Sequence, residues 1–138
     1  MGAQEFDFAT GKVVNSGFRQ IVVLSGCEPS CEFIEQYARG NRHKFLGKSA
    51  DLRQALELVR KFKQGVFFLD ADTDGVDVLS LANMLAEKAP AFHVILMSQT
   101  PTKELLSQGK AAGVAGFLVK PLSVDAIEKV IERIKVPT

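Results

Sequence analysis

Short apolar runs alternate with longer amphipathic segments along the chain from Arg19 onward. The apolar runs are rich in β-branched and aromatic side chains, which is typical of strands that are buried on both faces of a sheet. The segments between them repeat apolar residues at helical spacing. This alternation predicts an α/β domain in which helices cover both faces of a parallel sheet.

Five strands and five helices are predicted in strict alternation. The strands are expected at residues 20–25, 43–47, 66–69, 92–98 and 116–119, and the helices at about residues 30–38, 49–63, 76–88, 102–112 and 123–134. The second strand is polar enough to lie near a sheet edge. Ser49 is the expected N-cap of the second helix, whose buried stripe is predicted to comprise Leu52, Leu56, Val59 and Phe62.

The first 18 residues have no clear period and mix Gly, Asn, Ser and Thr with scattered Phe. This pattern predicts a flexible N-terminal lead-in over residues 1–18, which leaves residues 19–138 as the folded domain. A chain of 138 residues with 46% apolar and 24% charged residues has the size and composition of one globular domain.

The overall charge gives no reason to expect binding to nucleic acid or to a membrane. The 17 basic and 16 acidic residues leave a formal net charge of +1, so a partner must be recognised by a local patch. No apolar run reaches the roughly 18 residues that a transmembrane helix needs, and the first residues lack the order of a secretion signal. The two cysteines, Cys27 and Cys31, belong to no wider framework, which fits a reducing compartment. We therefore expect a cytoplasmic domain.

Polar residues end or directly follow four of the predicted strands: Ser25, Asp70, Ser98 and Lys120. Functional groups of open parallel sheets gather at the carboxyl ends of the strands, so these four side chains should converge. A carboxylate, a hydroxyl and an ammonium are what a site needs to form an acyl phosphate on an aspartate. The serine would donate a hydrogen bond to one phosphoryl oxygen while the lysine pairs with another.

Three motifs carry a resemblance to a known family: FFLD ending at Asp70, ILMS ending at Ser98, and GFLVKP containing Lys120 and Pro121. Together they resemble the response-regulator receiver domain, the chemotaxis-regulator-like switch module of two-component signalling. The resemblance runs from Arg19 to the C-terminus. It implies a flavodoxin-like, doubly wound five-stranded parallel sheet with strand order 2-1-3-4-5, and a cis bond between Lys120 and Pro121.

The resemblance also implies roles for four residues. Asp70 is expected to be the phospho-acceptor, Ser98 the switch hydroxyl, Lys120 the cation that pairs with the phosphate, and Phe117 the switch aromatic. An ordinary core position is an equally good interpretation of Phe117. The implied partner is a histidine kinase or a phosphotransfer protein, and a homodimer is a further option. No enzymatic activity is expected beyond self-phosphorylation and dephosphorylation on Asp70.

The chain departs from the family where Mg²⁺ normally binds. Two adjacent acidic residues usually follow the first strand, whereas this chain has Ser25 and Gly26. Magnesium binding is therefore expected to be weak or absent, with Asp70 as one ligand and Asp72 and Glu28 as candidate further ligands. For Asp72 and the nearby Asp74 the favoured alternative is a turn in which the carboxylates bond to their own backbone.

Three functions are compatible with these motifs. The first is a receiver domain with impaired Mg²⁺-dependent phosphotransfer to Asp70. The second is a phosphorylation-independent interaction module, similar to the pseudo-receiver at the front of pilus-assembly localisation ATPases, docking through the fourth strand, the fifth strand and the helices that follow them. The third is a phosphatase of the haloacid-dehalogenase type, suggested by the Asp-x-Asp sequence from Asp70 to Asp72.

Overall fold

The computed structural model describes residues 4–7, 12–15 and 19–134 of the chain. The strands are β1 (Gln4–Asp7), β2 (Lys12–Asn15), β3 (Gln20–Leu24), β4 (Lys44–Ser49), β5 (Gly65–Asp70), β6 (Phe92–Ser98) and β7 (Gly116–Val119). The helices are α1 (Glu28–Gly40), α2 (Leu52–Phe62), α3 (Val78–Lys88), α4 (Lys103–Ala111) and α5 (Val124–Arg133). None of these helices combines the length and the apolar composition that crossing a bilayer requires.

The strands from β3 to β7 form one parallel sheet in the order β4-β3-β5-β6-β7. Counted from β3, this is the order 2-1-3-4-5, so the predicted doubly wound flavodoxin-like fold is confirmed. The polar strand β4 lies at one edge, as its composition predicts. The chain changes winding direction between β3 and β5, and ligand sites of such sheets lie beyond the carboxyl ends of the strands at this point.

Two hydrophobic clusters cover the two faces of the sheet. Side chains alternate between them along each strand, so Phe67 joins the cluster with α2 and α3 while Phe68 joins the cluster with α1 and α5. Both phenylalanines are fully buried. This burial on both faces explains why the strand sequences are almost continuously apolar. Polar side chains are therefore found where the strands end, at the carboxyl edge of the sheet.

The start of α2 differs from the prediction. Ser49 is the last residue of β4, where it pairs with Leu24, and so it is not a cap. Asp51 is the N-cap instead, and its side chain accepts a hydrogen bond from the Arg53 amide. The strand pairing runs further than its polar sequence suggested, and the helix therefore begins later.

The buried face of α2 also differs in part from the predicted stripe. Val59 is buried as expected, and Leu56 and Phe62 pack against the same cluster while partly exposed. Leu52 opens the helix and remains 37% exposed. The small residue Ala55, which the stripe omitted, is fully buried.

An antiparallel hairpin formed by β1 and β2 lies within the first 18 residues. The sequence pattern did not predict these two strands. They pair only with each other and do not join the five-stranded sheet. A domain beginning at Arg19 and a flexible lead-in before it stay predictions.

The buried Arg19 connects the start of β3 with the end of α5. Its guanidinium donates hydrogen bonds to the carbonyl oxygens of Ile134 and Ile131, over 2.6 and 3.4 Å. Its backbone amide donates to Nδ1 of His43 over 2.9 Å. Carbonyl oxygens at a helix C-terminus lack hydrogen-bond donors within the helix, and here the guanidinium of Arg19 is their donor.

Candidate functional site

The polar residues at the carboxyl edge of the sheet lie close together. Asp70 ends β5, Ser98 ends β6, and Ser25 and Lys120 follow β3 and β7. The Lys120 ammonium lies 3.0 and 2.8 Å from the two carboxylate oxygens of Asp70. The structure thus brings the predicted phospho-acceptor and the predicted cation into contact, while their roles in phosphoryl transfer stay predictions.

The carboxylate of Asp70 is buried, with an exposed fraction of 1%. Besides the lysine, it accepts a hydrogen bond from the Ser25 hydroxyl over 2.6 Å and one from the Asp72 amide over 2.9 Å. A buried carboxylate is costly unless it is paired and hydrogen-bonded. One ammonium, one hydroxyl and one amide meet that need here.

Lys120 bridges two carboxylates. Its ammonium also lies 3.0 Å from Oδ2 of Asp72, and the bond to Pro121 that follows is cis, as the resemblance implies. Burial by itself lowers the pKa of Lys120, but hydrogen bonds and charge interactions with Asp70 and Asp72 outweigh it and raise this pKa above its ordinary value. The lysine is therefore charged at neutral pH.

Asp72 binds the loop that follows β6. Its Oδ2 accepts a hydrogen bond from the Gln99 amide over 2.8 Å, and its Oδ1 accepts a longer one from the Ser98 hydroxyl over 3.4 Å. Burial raises the pKa of this carboxyl, but the Gln99 amide and Lys120 together hold it below its usual value. The favoured interpretation of Asp72, a turn in which its carboxylate bonds to its own backbone, is wrong for this residue. Its oxygens instead accept from Ser98 and Gln99 at the end of β6 and pair with Lys120 after β7.

Ser25 and Gly26 follow β3, at the two positions where the resemblance implies a pair of acidic residues. The Ser25 hydroxyl donates to Asp70 and accepts from the amide of Cys27 over 3.0 Å. The Gly26 amide donates to the buried hydroxyl of Thr73 over 3.2 Å. Neutral groups therefore stand beside Asp70 at these two positions. Gly26 lines one side of a cavity of about 340 Å³ that also includes Asp72, Asp74 and Lys120.

The candidate metal ligand Glu28 lies in a separate ion pair. Its carboxylate is 3.0 Å from the Lys48 ammonium, and its side chain is 67% exposed. Among the described residues no three acidic, histidine or cysteine side chains are grouped closely enough to hold a metal ion. The structure therefore does not bring Glu28 together with Asp70 and Asp72.

The residues present do not fit a magnesium site. Mg²⁺ requires oxygen ligands in octahedral geometry and is usually held by one or two carboxylates and several waters. Here the oxygens of Asp70 already accept from Ser25 and Lys120, and those of Asp72 accept from Lys120 and Gln99. The lysine ammonium supplies the positive charge that a metal ion would supply.

Phe117 lies in β7, partly buried against the cluster that includes Leu96. Its ring packs close to Gly109 of α4, so close that a Cβ at Gly109 would lie 2.9 Å from two ring carbons. The ring thus points toward the helix. Both interpretations of Phe117, switch aromatic and core residue, stay predictions.

Two groups of the site were not predicted from the sequence. The first is the backbone amide of Gln99. Every residue has such an amide, so the residue type does not mark it as a site group, but Gln99 follows Ser98 at the end of a strand. The second is the hydroxyl of Thr73, three residues after Asp70, which lies 3.2 Å from the Gly26 amide. Residues at the carboxyl ends of parallel strands converge, and this rule also predicts Gln99 when it is extended to the residue that follows each strand end.

Comparison with known proteins places this site in a family. Residues 28–132 match the family model described as the response regulator receiver domain. The chain is 24% identical over 99 residues to the transcriptional regulatory protein PdtaR of Mycobacterium tuberculosis, covering 72% of this chain and 48% of that protein. It is 23% identical over 92 residues to the transcriptional regulatory protein CitT of Bacillus subtilis, covering 67% of this chain and 41% of that protein. The chain thus spans about half the length of these curated relatives or less.

Solved structures show the same fold. The chemotaxis protein CheY4 of Vibrio cholerae superposes with a TM-score of 0.76 at 16% identity, covering 86% of this chain and 99% of that one. A response regulator from Thermotoga maritima superposes with a TM-score of 0.73 at 18% identity, covering 83% and 98%. Since the family model matches most of the chain and the fold agrees, this chain belongs to the response regulator receiver domain family of two-component signalling.

Proposed function

We propose that this receiver domain accepts a phosphoryl group on Asp70 from a histidine kinase or a phosphotransfer protein, and does so slowly. Receiver domains are signalling modules that interact with such donors, generally without enzymatic activity of their own. The observation that carries the proposal is the contact of Asp70 with Lys120 at a rim shared with Ser98. Nucleophile, cation and hydroxyl are the groups that the reaction needs.

The reaction is the attack of an Asp70 carboxylate oxygen on the phosphorus atom of the donor. The new P–O bond forms as the P–N bond to a histidine breaks, or the P–O bond when the donor is acetyl phosphate. The leaving nitrogen or oxygen keeps the electron pair. Lys120 offsets the charge that is added next to Asp70, and Ser98 can donate to a phosphoryl oxygen.

The neutral residues after β3 explain why the reaction should be slow. Receiver domains typically use Mg²⁺ in phosphorylation. Two unit charges 4 Å apart repel by about 4 kcal/mol at an effective dielectric constant near 20, so a donor phosphate is repelled by Asp70 and Asp72 unless a cation compensates. Lys120 provides only one positive charge for two carboxylates.

The test is incubation with acetyl phosphate and Mg²⁺, followed by intact mass measurement over time. We expect one phosphoryl group per chain to appear slowly, and none in the Asp70→Asn variant. Asp74→Asn is the matched control, because it removes a carboxylate from the same loop without touching Asp70. Modification that persists in Asp70→Asn, or its complete absence at high donor concentration, would contradict the proposal.

A second candidate function is docking without phosphorylation. The observation that favours it is the set of hydrogen bonds that already satisfies Asp70: the Ser25 hydroxyl at 2.6 Å, the Lys120 ammonium and the Asp72 amide. In this case acetyl phosphate leaves the mass and the amide chemical shifts of the protein unchanged. Failure of the first proposal in the mass experiment therefore supports the second.

Either function needs a docking surface, and the face formed by α4, β7 and α5 is a candidate for a partner or a second copy of the chain. Three of the large apolar side chains with substantial exposure lie there: Leu106 at 38%, Val119 at 56% and Val124 at 47%. Exposed apolar residues on adjoining elements are typical of interaction sites. We place this interaction in the cytoplasm, where two-component phosphotransfer occurs.

A further inference from the structure

The carboxylate of Asp72 occupies a position surrounded by three hydrogen-bond donors. The Gln99 amide lies 2.8 Å from Oδ2, the Lys120 ammonium lies 3.0 Å from the same oxygen, and the Ser98 hydroxyl lies 3.4 Å from Oδ1. The three donors come from two different strand ends. Together they form a small anion site, and a side chain of the same protein fills it.

Two of these donors are the groups expected to bind a phosphoryl group on Asp70. Ser98 and Lys120 are the hydroxyl and the cation at the rim, and a phosphoryl group offers strong acceptor oxygens to such donors. Asp72 contacts both of them: it accepts a hydrogen bond from the Ser98 hydroxyl and pairs with the Lys120 ammonium. A carboxylate has two acceptor oxygens and one negative charge, so it is a reasonable substitute for part of a phosphoryl group.

We propose that Asp72 is an internal anion that takes the place of a phosphoryl group on Asp70 and holds the loop after β6 in the conformation in which Ser98 and Gln99 donate to an anion at the rim. The inference rests on the proposed function for the identity of the group that Asp72 replaces. Asp72 is a positioning residue, since it acts through Ser98, Gln99 and Lys120 and not on the reacting atoms.

The exposure of the residues agrees with a displaceable internal ligand. The Asp72 side chain is 34% exposed, whereas that of Asp70 is 1% exposed and that of Lys120 is 12% exposed. Asp72 can therefore turn toward solvent without opening the core, and a phosphoryl group on Asp70 would need that movement. The internal anion thus opposes phosphorylation and at the same time reproduces part of its effect on the loop.

The first experiment measures the apo protein, without any phosphoryl donor. In Asp72→Ala the Gln99 amide loses its acceptor, and we expect its hydrogen exchange to accelerate at least tenfold with a chemical-shift change that extends to Ser98. Asp72→Asn keeps an acceptor oxygen but not the charge, so it should preserve more of the Gln99 protection while releasing Lys120. Asp74→Ala, in the same loop, should leave both residues unchanged.

The second experiment titrates beryllofluoride with Mg²⁺ into the same variants and follows the amide shifts. We expect Asp72→Ala to reach half-saturation at a concentration at least tenfold lower than the wild type. Unaltered exchange and shifts at Gln99 in Asp72→Ala would overturn the inference, even if Asp70 is phosphorylated. Accelerated exchange in Asp72→Ala with no beryllofluoride binding by any variant would overturn the phospho-acceptor proposal, and with it the claim that Asp72 replaces a phosphoryl group; only its role in holding the loop would stand.

Discussion

At the scale of single residues, the hydroxyl of Ser25 stabilises the buried carboxylate of Asp70 by a hydrogen bond. It donates to Asp70 over 2.6 Å from the position where an acidic side chain would otherwise stand. A hydrogen bond to a charged acceptor contributes about 1.5–3 kcal/mol. One hydroxyl therefore stabilises the buried carboxylate in the folded state and removes a ligand for a metal ion at the same time.

Replacing Ser25 by Asp should make stability depend on Mg²⁺. Without metal the new carboxylate faces Asp70, and we expect a destabilisation on the order of 2 kcal/mol from lost hydrogen bonding and charge repulsion. Millimolar Mg²⁺ should restore much of it, because a ligand that binds only the folded state stabilises that state. Thermal unfolding with and without Mg²⁺ measures the effect.

The control for this prediction is Ser25→Asn, which has a similar size but no charge. Its unfolding midpoint should not respond to Mg²⁺, and neither should that of the wild type. A wild-type protein stabilised by Mg²⁺ as strongly as Ser25→Asp would show that the present residues already form a metal site.

At the scale of elements, the packing of α4 on β7 depends on the missing side chain of Gly109. A Cβ there would lie 2.9 Å from two carbons of the Phe117 ring and 3.2 Å from a methyl group of Leu96. Overpacking typically costs about 1–3 kcal/mol, while replacing a helical glycine by alanine gains up to about 1 kcal/mol. The ring position and the helix position are therefore coupled.

We expect Gly109→Ala to lower the free energy of unfolding by about 1 kcal/mol, because the overpacking exceeds the gain in helix propensity. In the Phe117→Leu background, where the ring is absent, adding Gly109→Ala should cause no further loss of stability relative to Phe117→Leu alone. Gly40→Ala in α1 is the matched control: no atom lies within 4 Å of its added Cβ, so it should be neutral or stabilising. Urea unfolding measures all variants, and equal losses with and without the ring would contradict the coupling.

The elements themselves were largely predictable from the sequence. The pattern placed all five strands of the parallel sheet, and β6 and β7 begin and end at the predicted residues. The start of α2 was not predictable from capping preference alone, because Ser49 and Asp51 are both good caps and the pairing of β4 decides between them. The hairpin of β1 and β2 was missed because two short strands that pair only with each other carry too weak a periodic signal.

The sequence predicted which residues form the candidate site, but not which hydrogen bonds join them. Strand ends predicted that Asp70, Ser98 and Lys120 would share a rim. Which carboxylate accepts from Ser98 depends on the path of the loop after β5, and side-chain direction in a loop is not encoded by any period. For the same reason the sequence suggested Glu28 as a metal ligand, whereas the structure pairs it with Lys48 of the neighbouring strand.

At the scale of the whole molecule, acid should weaken the fold through two histidines. Burial, followed by the nearby charge of Arg19, lowers the pKa of His43 and of His93 below the ordinary value. His43 must also remain neutral at Nδ1, since that atom accepts the hydrogen bond from the Arg19 amide. The unfolded chain therefore binds more protons than the folded one between the ordinary histidine pKa and the lowered values.

This contribution to stability is complete above about pH 6.5 and is lost as the pH falls toward the lowered pKa values. We expect the free energy of unfolding, measured in urea, to decline as the pH is lowered below about 6.5. The variant His43→Asn, whose amide oxygen can accept the hydrogen bond from the Arg19 amide, should show a smaller decline in stability. The variant His93→Asn should remove the part of the decline that comes from His93. A decline that is unchanged in the double variant would mean that other groups cause it.

The bonds from Arg19 to Ile134 have a practical consequence for handling this protein. Helices of a parallel α/β sheet run opposite to the strands, so the end of α5 and the beginning of β3 share one pole, and the Asp70 rim lies at the other. A linker joined directly at residue 19 or at residue 134 would therefore start at the pole opposite that rim. Immobilised through either of these positions, the domain would present the rim with Asp70 and Lys120 to proteins in solution.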